Sequence, residues 1–402
     1  MQAGGKDPLG KSREAAADPA TRGSLRDFLS YFLRLGTFGF GGPIALAGHM
    51  HRDLVEERQW ISERDYLEGL AFSQLSPGPL AAQLAMYLGW VRFRRLGATL
   101  VGAVFILPSF LMVLALAFFY VHHGTLSWIR AIFYGVGAAV IAILLRSACK
   151  LIRTTLKRDP LLWLLFAATA LVTARTESEI VWLFLVSGLI ALFLKAPPAF
   201  LRQDIAPALL GGLGWLTGGI QGPASAAKTT TLFLFFLKAG AFVFGSGLAI
   251  VPFLYGGVVA QTHWLTERQF LDAVAVAMIT PGPVVITAGF IGYLVAGLLG
   301  AVLASLAVFV PPYLIVLVAA PLYKRFTQNP QVKAFVQGVT AAAVGAITGA
   351  VYILGRRALI DLPSVLIAAA ALFLLLAAKK IPEPVLIALA GLAGLLFFKG
   401  PA

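Results

Sequence analysis

The sequence predicts an all-α polytopic membrane protein made of two homologous repeats, expected to be inverted relative to each other, with broken helices where the repeats meet. Three observations carry that reading. Of the 402 residues, 59% are hydrophobic and only 12% charged, with a mean hydropathy of +0.86, whereas a soluble domain carries about 25% charged residues. The apolar runs are long enough for helices of about 20 residues, the length that crosses bilayer hydrocarbon. The tetrapeptide SPGP at 76–79 returns as TPGP at 280–283, which sets Pro77 and Pro281 204 positions apart.

In chain order, apolar runs fall near 28–48, 68–90, 97–121, 131–152, 160–175 and 179–195, then near 231–258, 269–292, 297–322, 334–355, 362–378 and 383–399. The expected organisation is a disordered cytoplasmic tail (1–27), a first membrane repeat (28–200), a linker (201–228) and a second membrane repeat (229–402). The tail lacks the apolar core of a signal peptide. Within the linker, 205–220 is a candidate extra crossing. The net charge of +14 sits in short loops between apolar runs, where it reads as topogenic charge and gives no ground for a nucleic-acid partner. Cys149 is the only cysteine, which excludes a disulfide framework and a two-thiol redox pair. The five histidines lack the spacing of a metal site, so no metal and no cofactor is expected.

The repeat extends well beyond the proline motif. At an offset of 204, FLRLGTFGFGG (32–42) lies over FLKAGAFVFGS (236–246), Trp60 over Trp264, Glu63 over Glu267, Arg64 over Arg268 and Glu68 over Asp272. At an offset of 203, Gly97 meets Gly300, Pro108 meets Pro311 and Gly135 meets Gly338. Shared greasiness does not align Trp, Glu, Arg and Pro, so the chain is a duplication. In the first half the basic loops are those with Arg92, Arg94 and Arg95 and with Arg146 to Arg158. In the second half the bias moves to the loop with Lys324, Arg325 and Lys333. Cations mark cytoplasmic loops, and their change of side is the basis for expecting inversion. Arg356 and Arg357 run against that count.

Proline ends the helix before it and suits the start of a new one. The sequence therefore predicts breaks at Ser76-Pro77-Gly78-Pro79 and Thr280-Pro281-Gly282-Pro283, with Ser76 and Thr280 as N-caps. Such breaks survive in a membrane only where protein or a wet cavity surrounds them. A half-helix N-terminus offers amides and a positive dipole end to an anion, and matched breaks in two repeats point to a transporter's substrate site. The Gly-rich stretches with Gly41, Gly42 and Pro43 and with Gly245 and Ser246 are further backbone candidates, with close helix packing as the plainer alternative. Arg34 and Lys238 are repeat-matched cations inside apolar runs, read as anion-binding or as snorkelling anchors. Glu68 and Asp272, each nine residues before a PGP, are proton-coupling candidates or first-turn acids that stabilise their own helices. No embedded nucleophile–base pair and no dinucleotide fingerprint is visible, which argues against a membrane enzyme acting on lipid phosphates and against a dinucleotide-dependent reductase.

FGFGGP, the block WISERDYLEGLAFSQLSPGP and its echo WLTERQFLDAVAVAMITPGP resemble the chromate ion transporter family in its long two-domain form. The resemblance covers the chain from about residue 25 onward. It implies export of chromate from the cytoplasm across a bacterial-type inner membrane, with chromate resistance as the consequence. It also implies links to sulfate and to the proton-motive force; apart from the resemblance, the polar tail sets the expectation of a cytoplasmic N-terminus, and a homodimer is a further expectation. The motif positions carried over are Gly41, Gly42, Pro43, Pro77, Gly78 and Pro79; the second repeat has Ser246 and Gly247 where the first has Gly42 and Pro43. Physics agrees with export: two charges leaving a negative interior gain roughly 4–5 kcal/mol per 100 mV. The open alternative is a carrier or channel for sulfate and oxyanions in general.

Overall fold

The computed structural model describes residues 23–40, 42–123, 126–176, 181–196, 226–242, 250–322, 329–377 and 382–398. Most of the expected tail, the candidate crossing 205–220, and Gly41, Gly245 and Ser246 lie outside them. The described chain is helical: α1 (Leu25–Phe38), α2 (Gly42–His51), α3 (Glu63–Leu75), α4 (Leu80–His123), α5 (Ser127–Thr155), α6 (Pro160–Thr176), α7 (Val181–Lys195), α8 (Ala226–Phe242), α9 (Ile250–Tyr255), α10 (Glu267–Ile279), α11 (Thr287–Ala319), α12 (Pro330–Ala358), α13 (Leu362–Ala377) and α14 (Glu383–Phe397).

Several expected single spans are hairpins instead. The run 28–48 is α1 followed by α2, and 68–90 is α3 followed by the first part of α4. α1 starts at a capping box in which Ser24 and Asp27 satisfy each other's backbone, and it ends where Gly39 turns extended. The chain then returns through α2 and a π-helical turn, Arg52–Glu57, so that Trp60 packs on Gly23 and Phe28. α3 starts at the N-cap Ser62 and ends at Ser76, which Pro77 holds extended (φ −92°, ψ 148°). The chain turns back after Pro79, and Phe72 stacks on Tyr87 with ring centroids 5.4 Å apart. Helix α4 itself breaks at Phe93 and Arg94, the latter at φ 55°. Beyond that turn its second part, 95–123, spans about 43 Å at 1.5 Å per residue.

The second repeat reproduces this design in detail. Its π-helical turn is Gly256–Gln261, its N-cap is Thr266, and its tight turn is at Ala296 and Gly297 (φ 61°). The first-repeat counterpart of Gly297 is Arg94, so one repeat uses glycine where the other accepts a strained arginine. Close approach of backbones also repeats: a side chain on Gly36 would collide with the Phe105 carbonyl, and one on Gly240 with the Val308 carbonyl. Gly240→Ala is therefore expected to destabilise the fold by about 1–3 kcal/mol through overpacking against backbone that cannot yield, read as lower monodispersity and melting temperature of the purified protein.

The outer helices are exchanged between repeats. α5 packs against α13 and α14, while α12 packs against α6 and α7. Small residues permit this: Gly135 lies on the backbone of Ala390 and Gly394, and Gly338, its repeat partner, on Ser187. Helices Leu80–His123, Ser127–Thr155, Val284–Ala319 and Pro330–Ala358 are long and apolar enough to cross a membrane, and four shorter apolar helices accompany them. Exposed Leu107, Leu111, Phe118, Leu164, Leu306, Leu314 and Leu396 face outward, as expected where the solvent is lipid. Arg357, discordant in the charge count, is an internal group: it pairs with Glu267 and with the Tyr255 hydroxyl.

Candidate functional site

Two places bring predicted residues together. The first is the junction of the hairpin tips. Ser76 and Thr280 are not N-caps of the following helices but C-caps of α3 and α10. Their hydroxyls donate back to Phe72 O and, at 2.7 Å, to Val276 O. The prolines explain this: each forces the residue before it out of helical geometry, so the helix closes there, and the next helix opens only after the second proline. Pro79 O accepts from Gln83 N at 2.9 Å, the first bond of α4, and Pro283 stands at the head of a short 3₁₀ turn, Val284–Ile286.

Gly78 (φ 138°) and Gly282 (φ 99°) sit between the prolines in a region that favours glycine. A side chain at Gly282 would fall on the Ser109 hydroxyl, and one at Gly78 on Gln83 and Pro312. Ser109 and Pro312 occupy the same repeat position, each one residue beyond a helix proline, Pro108 or Pro311. Each PGP tip thus rests on the kinked helix of the other repeat. The second tip is also bonded to the first repeat: Gly282 N donates to Gly39 O at 3.1 Å, and the Ser109 hydroxyl donates to Pro281 O at 2.7 Å. The sequence reading expected the Gly282 amide to face an anion; here it is spent on Gly39. At the first tip, the fully buried Gln83 donates to Pro77 O at 2.6 Å, and its Oε1 has no partner among the described residues. Proline-focused reading missed both Gln83 and Ser109; only the repeat match of Ser109 with Pro312 could have flagged the latter.

The other predicted residues are placed variously. Gly42 opens α2 and Pro43 is half-buried beside it. Arg34 and Lys238 are exposed on α1 and α8, and no described contact carries either into the tip junction. Glu68 is half-buried and accepts from Arg64 at 3.0 Å.

Asp272 belongs to the second place. It is 4% exposed and accepts from the Tyr120 hydroxyl at 2.6 Å. It lines a cavity of about 580 Å³ together with Tyr120, Val121, Arg130, Phe133, Trp264, Arg268, Gln269 and Leu294. Helix α4 delivers Tyr120 at its far end, α5 delivers Arg130 near its start, and the first turns of α10 deliver Arg268, Gln269 and Asp272. Arg268 Nη2 donates to Arg130 O at 3.2 Å. In the sequence Arg268 stands out only as the repeat partner of Arg64, and nothing connects it to Arg130, 138 positions away.

A duplicated helical chain with paired broken hairpins matches, over residues 26–192 and again over 230–395, the family model described as chromate transporter. The chain belongs to the chromate transporter family. It is 56% identical over 375 residues to a chromate transport protein of Cupriavidus metallidurans, covering 93% of this chain and 94% of that one. It is 54% identical over 378 residues to a probable chromate transport protein of Synechococcus elongatus, covering 93% and 96%. A chromate transport protein of Pseudomonas aeruginosa is 33% identical over 413 residues, covering 96% and 97%. No solved structure matches significantly. This member of the chromate transporter family is accordingly a multi-pass membrane protein of a transport family and not an enzyme. The two matched segments coincide with the two structural repeats.

Proposed function

We propose that this chain exports chromate from the cytoplasm across the plasma membrane, driven by membrane potential, by proton exchange or by both, and so confers chromate resistance. One observation carries the mechanism: each PGP tip rests on a proline-kinked helix of the opposite repeat, with Gly282 bonded to Gly39. A carrier with its site between repeats opens alternately by moving one repeat against the other. The tip junction is where such motion would make and break contacts.

Inverted repeats fit this scheme, and the placement of the aromatic entries supports them. Trp60 and Arg92 gather at Gly23, near the start of the second part of α4. Trp264 instead shares a cavity with Tyr120, near that helix's far end. The two hairpin pairs then enter from opposite membrane faces. With the basic 91–96 loop cytoplasmic, the N-terminal end of α1 is on the cytoplasmic side.

In this reading the substrate reaches Gly42, Pro43, Ser76 to Pro79 and Thr280 to Pro283 between the repeats, and Gly41, Gly245 and Ser246, outside the described residues, are assigned to the same site from the sequence alone. The exposed cations Arg34 and Lys238 steer it, and Glu68 or Asp272 carries the exchanged proton. Alanine at Arg34 or Lys238 is expected to weaken the apparent affinity a few-fold with little change in maximal rate, as for steering charges. The check is a concentration series of chromate flux, with sulfate as competitor. Complete indifference to both variants would remove the steering role. Full competition by sulfate would favour a general oxyanion carrier.

A further inference from the structure

The cavity at Asp272 has chemistry that the tip junction lacks. Its two guanidinium groups come from different repeats, Arg130 from the first and Arg268 from the second, linked by the Arg268-to-Arg130 carbonyl bond. Among the described residues, neither is in a salt bridge. Other arginines of the same neighbourhoods are neutralised: Arg357 by Glu267, and Arg64, the repeat partner of Arg268, by Glu68 at 3.0 Å.

The difference between Arg64 and Arg268 follows from one methylene. Glu68 is long enough to reach back one helical turn to its arginine. The matching acid of the second repeat is the shorter Asp272, which is buried and bonded to Tyr120. Arg268 thus has no carboxylate of its own helix on it: its guanidinium lies over the Phe398 ring, 5.9 Å from the centroid, and lines the cavity. Apolar walls from Val121, Phe133, Trp264 and Leu294 reduce the screening of both cations. The volume lies within the range of small-molecule sites, roughly 300–1,000 Å³, and leaves room for an anion that keeps some of its water.

We propose that this cavity is a capture site for a tetrahedral dianion at one mouth of the protein, separate from the tip junction, with Arg130 and Arg268 as a two-repeat clamp. The proposal rests on the oxyanion-transport reading and adds a site to it. Guanidinium donors are planar and paired, which suits two oxygens of a tetrahedral anion at once. The Gln269 side-chain amide offers a neutral donor on the same wall. Asp272 is the floor: its charge opposes a dianion moving deeper, so the anion is held at the mouth until that charge is neutralised or withdrawn. Because the clamp joins α5 to α10, an anion held there also ties the two repeats together on this face.

The test is equilibrium binding of labelled chromate to the purified full-length protein, with sulfate in a parallel series. Arg130→Ala and Arg268→Ala are each expected to weaken binding about ten- to hundredfold, the scale of a lost charge-assisted hydrogen bond. Asp272→Asn keeps the shape of the floor and removes its charge; it is expected to tighten binding about tenfold, a gain that a misfolded variant does not give. Arg95→Ala, an equal change of net charge in the loop at the opposite end of the long part of α4, is expected to bind like the unaltered protein. Unaltered affinity in both cavity variants overturns the clamp, and so does an equal loss in Arg95→Ala. Chromate flux in the same preparation tests the transport reading independently. Flux with no arginine effect on binding removes the clamp alone; a strong arginine effect with no flux removes transport and leaves an anion site.

Discussion

Gly282→Ala is expected to abolish most transport while the protein still reaches the membrane. The glycine has a φ of 99°, and a methyl group there would fall on the Ser109 hydroxyl. Positive φ costs an L-residue about 1–2 kcal/mol. Moving Ser109 aside breaks its 2.7 Å bond to Pro281 O in a fully buried place, at about 1–3 kcal/mol. The loss falls on the contact between the repeats, so flux should drop by tenfold or more, on the order of those energies converted to a rate. Ser109→Ala in the same chain removes the colliding oxygen and should restore part of the flux, with the φ penalty remaining. Absence of any rescue would mean that the tip does not act through Ser109. Gly78→Ala meets Gln83 and Pro312 instead and should behave similarly.

Asp272→Asn is expected to remove the part of the flux that follows an imposed pH gradient and to spare the part that follows potential. Asparagine retains an acceptor for the Tyr120 hydroxyl, so the packing around a side chain that is 4% exposed is kept while the titratable proton is lost. Glu68→Gln tests the other candidate proton carrier in the same assay, and the expected result assigns the proton to Asp272. Glu68 is half-buried and its i,i+4 pair is with an exposed arginine, Arg64, worth about 0.3–0.5 kcal/mol; its loss should change flux by less than about twofold. Equal effects of the two substitutions would deny the repeats their difference. If Asp272→Asn leaves pH-driven flux intact, the proton travels elsewhere.

Much of the architecture was legible because proline and glycine act locally. SPGP and TPGP named the two breaks, and the 204-residue match named the duplication; both rest on backbone sterics that distant residues do not alter. The direction of the chain after each break was not legible. An apolar run of about 20 residues is equally consistent with one crossing and with a hairpin that turns back, and only tertiary pairs such as Phe72 with Tyr87 decide it. The cap assignment failed for a related reason. Ser76 and Thr280 suit either end of a helix by type, and the proline that follows decides for the C-terminal end. Asp272 was singled out from the repeat match, but its partners Tyr120 and Arg130 lie more than a hundred residues away in sequence. Such a site is assembled by exchange between repeats, and no local pattern announces it.

If this chain moves chromate through the contact between its repeats, labelled chromate flux in proteoliposomes of the pure protein reports that movement. Membrane potential and pH gradient are imposed separately, and the transported ion is recovered and identified. The expected result is intact chromate accumulating toward the positive side, with Gly282→Ala vesicles near the protein-free background. No chromate flux under either gradient, or equal flux through the Gly282→Ala protein, would contradict it.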